Sequence, residues 1–207
     1  MKPVVLIGGG GHCKSVIDVI ESQNQLQVAG IVHATSESNV AVLSYPPLGC
    51  DDDLAQILGE IPNALITVGQ IKSANPRIRL FEKVKELSGF LPVLVSENAY
   101  VSNHAEIGEG TVVLHFAMIN VNVKVGSNCI INSRAHIEHD VNVAPHCHIS
   151  TGAILNGGVS VGEGTFIGSG CIVRESVTIG SACIVGAGSV ITRDVPGGSL
   201  INAGKVY

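Results

Sequence analysis

The chain of 207 residues carries 25 glycines, no tryptophan and only 3% aromatic residues. With 45% hydrophobic and 14% charged residues it has ample material for a sizeable core, which excludes a disordered chain. A net charge of −5 argues against nucleic acid or an anionic membrane surface as partner, and no apolar run approaches the roughly 18 residues of a membrane span.

At the amino end, Val4-Val5-Leu6-Ile7 reads as a short buried strand rather than a cleavable signal. Gly8 to Gly11 and His12 follow, and Val16, Ile17, Val19 and Ile20 then form the apolar face of a helix. Strand, glycine turn and helix start form a Rossmann-type unit, which lets backbone N–H groups approach a phosphate. Glycine in such a turn also serves simply to pack helix on strand. Further strands are predicted over Val28–Val32 and Leu65–Val68, with helices over Asp51–Leu58 and Ile78–Leu87. The pattern is a small α/β domain with a parallel sheet over residues 1–94. His33 stands where a dinucleotide-binding domain carries an acidic residue, so NAD is not expected.

From Val95 a period of six takes over. Val95, Val101, Ile107, Val113, Ile119 and every sixth residue onward to Ile191 form 17 consecutive positions, all Val, Ile or Leu. Four residues after each comes a small or β-branched side chain, among them Ala117, Cys129, Cys147, Cys171 and Cys183. Such hexads are the signature of a parallel β-helix, three hexads to a coil, giving five to six stacked coils over 95–207. The residue after the aliphatic one is Gly or Asn at 108, 120, 126, 132, 156, 162, 168, 180 and 186, predicting tight corners of positive φ there. The four cysteines of the small phase read as inward apolar fillers, and no CxxC pair suggests a disulfide framework or a zinc site. A reducing cytoplasm is the compartment this predicts.

His136, His139, His146 and His148 crowd into thirteen residues. His139 falls two positions after Ile137, a phase that points outward, and Asp140 points out beside it. The pair reads either as a solvated surface histidine or as a base made more basic by a carboxylate. Asn132 fits a corner or a cleft equally. Gly157 has the same two readings, a corner or a site residue; one coil beyond His139, it is expected to stack about 4.8 Å from it, a spacing at which a base and an N–H donor can bracket one reacting carbonyl.

The turn Ile7-Gly8-Gly9-Gly10-Gly11-His12, joined to a prism containing Ile137-Glu138-His139-Asp140, resembles the bacterial nucleotide-sugar N-acetyltransferases and sialic acid O-acetyltransferases of surface-glycan pathways. The resemblance spans essentially the whole chain. It implies a Rossmann-like nucleotide-sugar domain followed by a left-handed parallel β-helix, acetyl-CoA as co-substrate, and a homotrimer with active sites between subunits. It further implies His139 as general base, Asp140 as its orienting carboxylate, and Asn132 in the same cleft. His148 is expected to touch acetyl-CoA or substrate, with Gly157 donating its N–H to the thioester carbonyl. Nucleotide-sugar contacts are implied at Gly9, Gly11 and His12, in the Gly69-Gln70 turn and at Arg79. Gly168 and Ala187 are implied to offer backbone to the pantetheine arm. A nucleotide-binding turn with His12 favours an amine on a nucleotide-linked sugar, such as a 4-amino-4,6-dideoxy sugar, over a hydroxyl acceptor.

Two other classes share parts of this pattern. A γ-type carbonic anhydrase uses the same prism with three histidines on zinc, but no two histidines here lie eighteen residues apart to stack on adjacent coils. A non-catalytic subunit binding nucleotide sugars has no use for His139 beside Asp140.

Overall fold

The computed structural model describes residues 1–35 and 40–207. The amino-terminal part is a parallel sheet in the order β3-β2-β1-β4, made of β1 (Lys2–Ile7), β2 (Leu26–His33), β3 (Pro47–Cys50) and β4 (Ala64–Ile66). Being central, β1 is covered on both faces, and its alternating side chains divide between them. Val4 and Leu6 pack against α1 (Gly11–Glu21), whereas Val5 and Ile7 meet α2 (Leu54–Glu60) and α3 (Asn75–Glu86). The edge strand β3 has no counterpart among the sequence expectations, because Pro47 and Gly49 mask a segment with no buried run. The strand expected over 65–68 ends at Ile66. The helix expected from Ile78 starts at Asn75, with Pro76 in the first turn where its missing N–H is harmless. The predicted helix at Asp51 begins as a 3₁₀ turn, Asp51–Asp53, before α2.

The hexads form a three-sided column of parallel two-residue strands, adjacent coils pairing eighteen residues apart, as in Ile130 with His148 and Ile131 with Ile149. Three sheets of five, seven and six strands make its sides. The aliphatic positions from Val113 onward are buried, while Val95, Val101 and Ile107 of the first coil are only partly covered.

The corners correct the expectation about positive φ. It falls three residues after the aliphatics from Ile107 to Val185, at Phe116, Asn122, Asn128, Arg134, Asp140 and His146 and at glycines such as Gly110 and Gly152. The position directly after the aliphatic keeps an ordinary φ and is glycine for want of space. A Cβ on Gly126 would stand 2.5 Å from the Pro145 nitrogen, and one on Gly162 would stand 2.4 Å from the Ser181 nitrogen. The inward cysteines also do more than fill volume. Thr111, Cys129, Cys147, Thr165 and Cys183 share one phase, and each donates to a carbonyl of the following turn. The distances are 2.7 Å from Thr111 to Gly126, 3.3 Å from Cys129 to Ala144 and 3.1 Å from Cys147 to Gly162.

The three outer faces differ in chemistry. The five-stranded face presents Glu106, Lys124, Asn142, Ser160 and Thr178 and is polar. The early strands of the seven-stranded face lie under the amino-terminal domain: Leu94, Val112, Leu114 and Ile130 share one buried cluster with Cys13, Val16 and Ile20 of α1. On the six-stranded face Tyr100, Met118, His136, Ile154, Ile172 and Val190 point outward, and none of the described residues covers them. Tyr100 is 62% and Ile172 41% exposed, and Phe116 and Val121 stand exposed at its margins.

Candidate active site

His139 occupies the edge between the open apolar face and the polar face. Its Nδ1 lies 2.8 Å from Asp140 Oδ2, and Asp140 Oδ1 accepts from Asn122 Nδ2 at 2.7 Å. The hydrogen bond from Asn122, then that from His139, holds the Asp140 carboxyl below its usual range, so it is ionised and accepts. Nδ1–H therefore donates to that carboxylate, and Nε2 is the ring nitrogen left without a partner among the described residues. The imidazole is 57% exposed. Glu138 beside it is held low by His136 and then by Asn120, at 2.9 and 2.7 Å.

The ring rests on Gly157. A Cβ there would stand 2.7 Å from Cε1 and 2.8 Å from Nε2 of His139, so only glycine admits the imidazole. The neighbouring Gly158 N–H donates to the His139 carbonyl at 2.9 Å. In earlier coils Asn120 and Asn132 turn their Oδ1 onto the next residue's N–H, Val121 and Ser133, each at 2.7 Å. Asn156 instead turns its amide to the Val173 carbonyl at 2.7 Å, which leaves the Gly157 N–H without an acceptor among the described residues.

A cleft of about 750 Å³ opens elsewhere, between the amino-terminal domain and the edge joining the seven- and six-stranded faces. Gly11, His12, Gly69, Gln70, Asn132 and His148 line it, together with Ser15, Lys72 and Thr151, which the sequence reading missed. His148 Nδ1–H donates to the Gln70 carbonyl at 2.6 Å, and its Nε2 accepts from Asn132 Nδ2 at 3.2 Å, which fixes its tautomer. Burial pushes His148 down to about 4 and His12 down to about 3, and the Arg77 guanidinium adds to both. Both imidazoles are neutral. His12 Nε2 and Gln70 Oε1 are buried without a protein partner, leaving the cleft with polar atoms to satisfy.

The other expected residues divide. Gly9 lies under the His33 ring, where a Cβ would meet Cε1 at 2.5 Å, and lines a cavity of about 270 Å³ with Gly8, Gly10 and Asp51. Arg79 lines that cavity rather than the cleft, with its side chain 75% exposed and 3.9 Å from Asp51. Gly168 and Ala187 stack, a Cβ on Gly168 falling 2.6 Å from the Ala187 nitrogen. They continue, two and three coils on, the edge that carries Asn132. Arg77 was not foreseen: it is fully buried and hydrogen-bonded to both domains, although Leu80, Phe81 and Val84 at helical spacing mark the face it shares. Among the described residues, no group of three or more His, Cys, Asp or Glu side chains is arranged to hold a metal ion. No described helix is long and apolar enough to cross a membrane.

Residues 3–84 match the family model of the PglD N-terminal domain, and residues 158–193 match that of the bacterial transferase hexapeptide (six repeats). No curated protein matches the chain. Among solved structures, a histidine-to-asparagine mutant of perosamine N-acetyltransferase from Caulobacter crescentus, in complex with CoA and GDP-perosamine, is 36% identical. It superposes with a TM-score of 0.89 over 97% of this chain and 93% of that one. The acetyltransferase domain of PglB from Neisseria gonorrhoeae is 31% identical, with a TM-score of 0.88 over 97% and 96%. WeeI from Acinetobacter baumannii, at 21% identity, shares the fold with a TM-score of 0.81 over 97% of this chain and 96% of that one. A Rossmann-like parallel sheet and a left-handed parallel β-helix, shared end to end with these enzymes, make the chain a member of the nucleotide-sugar N-acetyltransferase family.

Proposed function

We propose that the protein moves an acetyl group from acetyl-CoA to the amine of a nucleotide-linked amino sugar, a 4-amino-4,6-dideoxy sugar, for surface-glycan synthesis. His139 acts as the base. The observation that carries this reading is the exposed imidazole held by Asp140 at 2.8 Å and seated on Gly157, whose N–H has no acceptor.

The chemistry follows from those atoms. The sugar nitrogen attacks the thioester carbonyl, and the Gly157 N–H donates to the oxygen as it gains charge. A C–N bond forms, the C–S bond breaks, and Nε2 of His139 takes the proton from nitrogen and passes it to the departing thiolate. Holding both substrates supplies the remaining advantage, so no covalent enzyme intermediate is required. Cys147, buried and donating to the Gly162 carbonyl, is not a nucleophile here.

One chain does not bring base and cleft together: His139 is absent from the residues lining the cleft, which opens on the opposite edge of the six-stranded face. That face is largely apolar and left open by the described residues, and it separates the two edges. Three copies closing a ring through it set the His139 edge of one against the cleft edge of the next, a heterologous interface with closed symmetry. The reading is therefore a homotrimer. In it Gly9, Gly11, His12, Gly69, Gln70, Arg79 and Asn132 hold the nucleotide sugar, and His148, Gly157, Gly168 and Ala187 hold acetyl-CoA. The thiols of the carbonyl ladder fit a reducing cytoplasm.

The test is a screen of GDP-, UDP- and dTDP-linked 4-amino-4,6-dideoxy sugars with acetyl-CoA, reading released thiol, with light scattering for mass. Turnover on one of these amines, by a particle of three chain masses, is the expected result. Turnover confined to hydroxyl acceptors replaces it with O-acetylation, and a monomer turning over at full rate removes the shared site.

A further inference from the structure

The position directly after an aliphatic carries a local choice. Asn120 and Asn132 turn Oδ1 onto the next residue's N–H at 2.7 Å, and Glu138 turns Oε2 onto the His139 N–H at 3.4 Å. In each case a side-chain oxygen takes a corner N–H that no backbone carbonyl among the described residues reaches. Asn156 makes the opposite choice. Its Nδ2 donates to the Val173 carbonyl at 2.7 Å, beside its own backbone N–H, which reaches the same oxygen at 3.1 Å. The peptide groups around Gly157 are otherwise engaged. The Val159 N–H reaches the Asn156 carbonyl at 3.3 Å, the Ser176 N–H the Gly157 carbonyl at 2.9 Å, and the Gly158 N–H the His139 carbonyl at 2.9 Å. The vacant Gly157 N–H thus sits in a pinned backbone, on the residue that carries the His139 ring.

The next coil accounts for the choice. Eighteen residues after Asn120 stands Glu138, whose Oε2 accepts Asn120 Nδ2 at 2.7 Å. That amide is satisfied along the edge, which leaves its oxygen for Val121. Eighteen residues after Asn156 stands Arg174, which has donors and no acceptor, its Nε 4.0 Å from Glu175. Asn156 finds no oxygen on that side chain and takes the Val173 carbonyl instead.

We propose that Asn156 is a positioning residue for acetyl transfer: its amide, turned to Val173 because Arg174 offers no acceptor, keeps the Gly157 N–H vacant for the acyl oxygen. This rests on the function proposed above. A donor aimed where charge develops helps most when nothing else occupies it and nothing must move to free it. A side-chain oxygen capping Gly157, as Asn120 caps Val121, competes with the acyl oxygen for the same proton. The amide of Asn156 therefore acts through Gly157 and touches no substrate itself.

The experiment uses Asn156→Asp, which cannot donate to Val173, and Arg174→Glu, which rebuilds at Asn156 the pairing of Asn120 with Glu138. Two readouts are taken: hydrogen exchange of the Gly157 amide in protein labelled with ¹⁵N-glycine, and kcat and KM by thiol release. Both variants are expected to protect the Gly157 amide, which exchanges freely in native protein. In Asn156→Asp kcat falls roughly 10²-fold, and in Arg174→Glu about tenfold, with KM for the nucleotide sugar little changed. Adding Asn156→Ala to Arg174→Glu restores kcat, since no amide remains to turn, and Arg174→Met, which offers no acceptor, behaves as native. An amide left unprotected in both variants overturns the proposal. So does a loss in Arg174→Glu that Asn156→Ala does not relieve, because charge alone then accounts for it. If Asn156→Asp does not fold, the Arg174 variants, at a side chain 56% exposed, carry the test. The exchange arm needs no turnover. Protection with kcat unchanged overturns the proposal through the reaction beneath it, whereas absent protection faults the role of Asn156 itself.

Discussion

Histidines on two edges of one prism have opposite physical fates. His139 stands in solvent with a charged carboxylate at 2.8 Å, whereas His148 is enclosed, with both ring nitrogens engaged and its proton affinity lowered by burial and by Arg77. His12 is held lower still. The same side chain is thus an exposed ring paired with a carboxylate in one place and a neutral hydrogen-bonding fixture in the other, and the surroundings decide which. In the proposed reaction, a site assembled from both edges keeps its single proton-transfer step on His139 while the cleft binds without changing charge.

That contrast is broken most severely by His139→Asn, which is expected to lower kcat/KM about 10²- to 10⁴-fold with the trimer intact, read by thiol release. Gly157→Ala follows. Its methyl must displace the imidazole, whose nearest atom is 2.7 Å away, and a shift of that size costs roughly 10²-fold. Here a crystal structure should show the ring turned away from Asp140. His148→Gln, which replaces the hydrogen bonds but offers no base, is expected to cost less than about tenfold, mostly in KM. A loss from His148→Gln equal to that from His139→Asn would erase the distinction between the edges.

Much of the column is legible in the sequence because every coil repeats the same demand. Seventeen aliphatic positions in one phase leave no other fold for residues beyond Val95. The two corner phases were harder to separate. Glycine recurs in both, once for lack of room and once for positive φ, and the second phase also tolerates Asn122, Arg134 and even Phe116. The two uses have different strengths. Gly126→Ala drives a methyl against the Pro145 backbone and is expected to destabilise the prism by about 1–3 kcal/mol or more. Gly170→Ala, at φ +66 with open space around it, should lose only about 1 kcal/mol by denaturant unfolding.

The site was legible where it belongs to the repeat. The placement of His139, Asp140 and Gly157 is legible from phase, since an outward position and a spacing of one coil fix who meets whom, but the roles proposed for them come from the family resemblance. Arg77 was not legible, because its burial is set by docking onto the prism at Asn128, 51 residues along the chain. A charged residue on an amphipathic helix is ordinarily solvated, and only its place in the spacing with Leu80, Phe81 and Val84 hinted otherwise. Arg79, two residues on, drew attention instead and stands largely in solvent beside Asp51. The partition into polar, covered and open faces likewise emerges only once the coils are stacked.

Subunit mixing tests the composite site most directly. His139→Asn chains, lacking the base, are reassembled in equal amounts with Gly11→Trp chains, whose new side chain enters the cleft from a position with open space around its Cβ. Each parent alone is inactive. Base and cleft drawn from neighbouring copies restore about a quarter of the native sites at random mixing. A mixture as dead as its parents, although hybrid trimers have formed, would show that one chain carries the whole site and contradict the account.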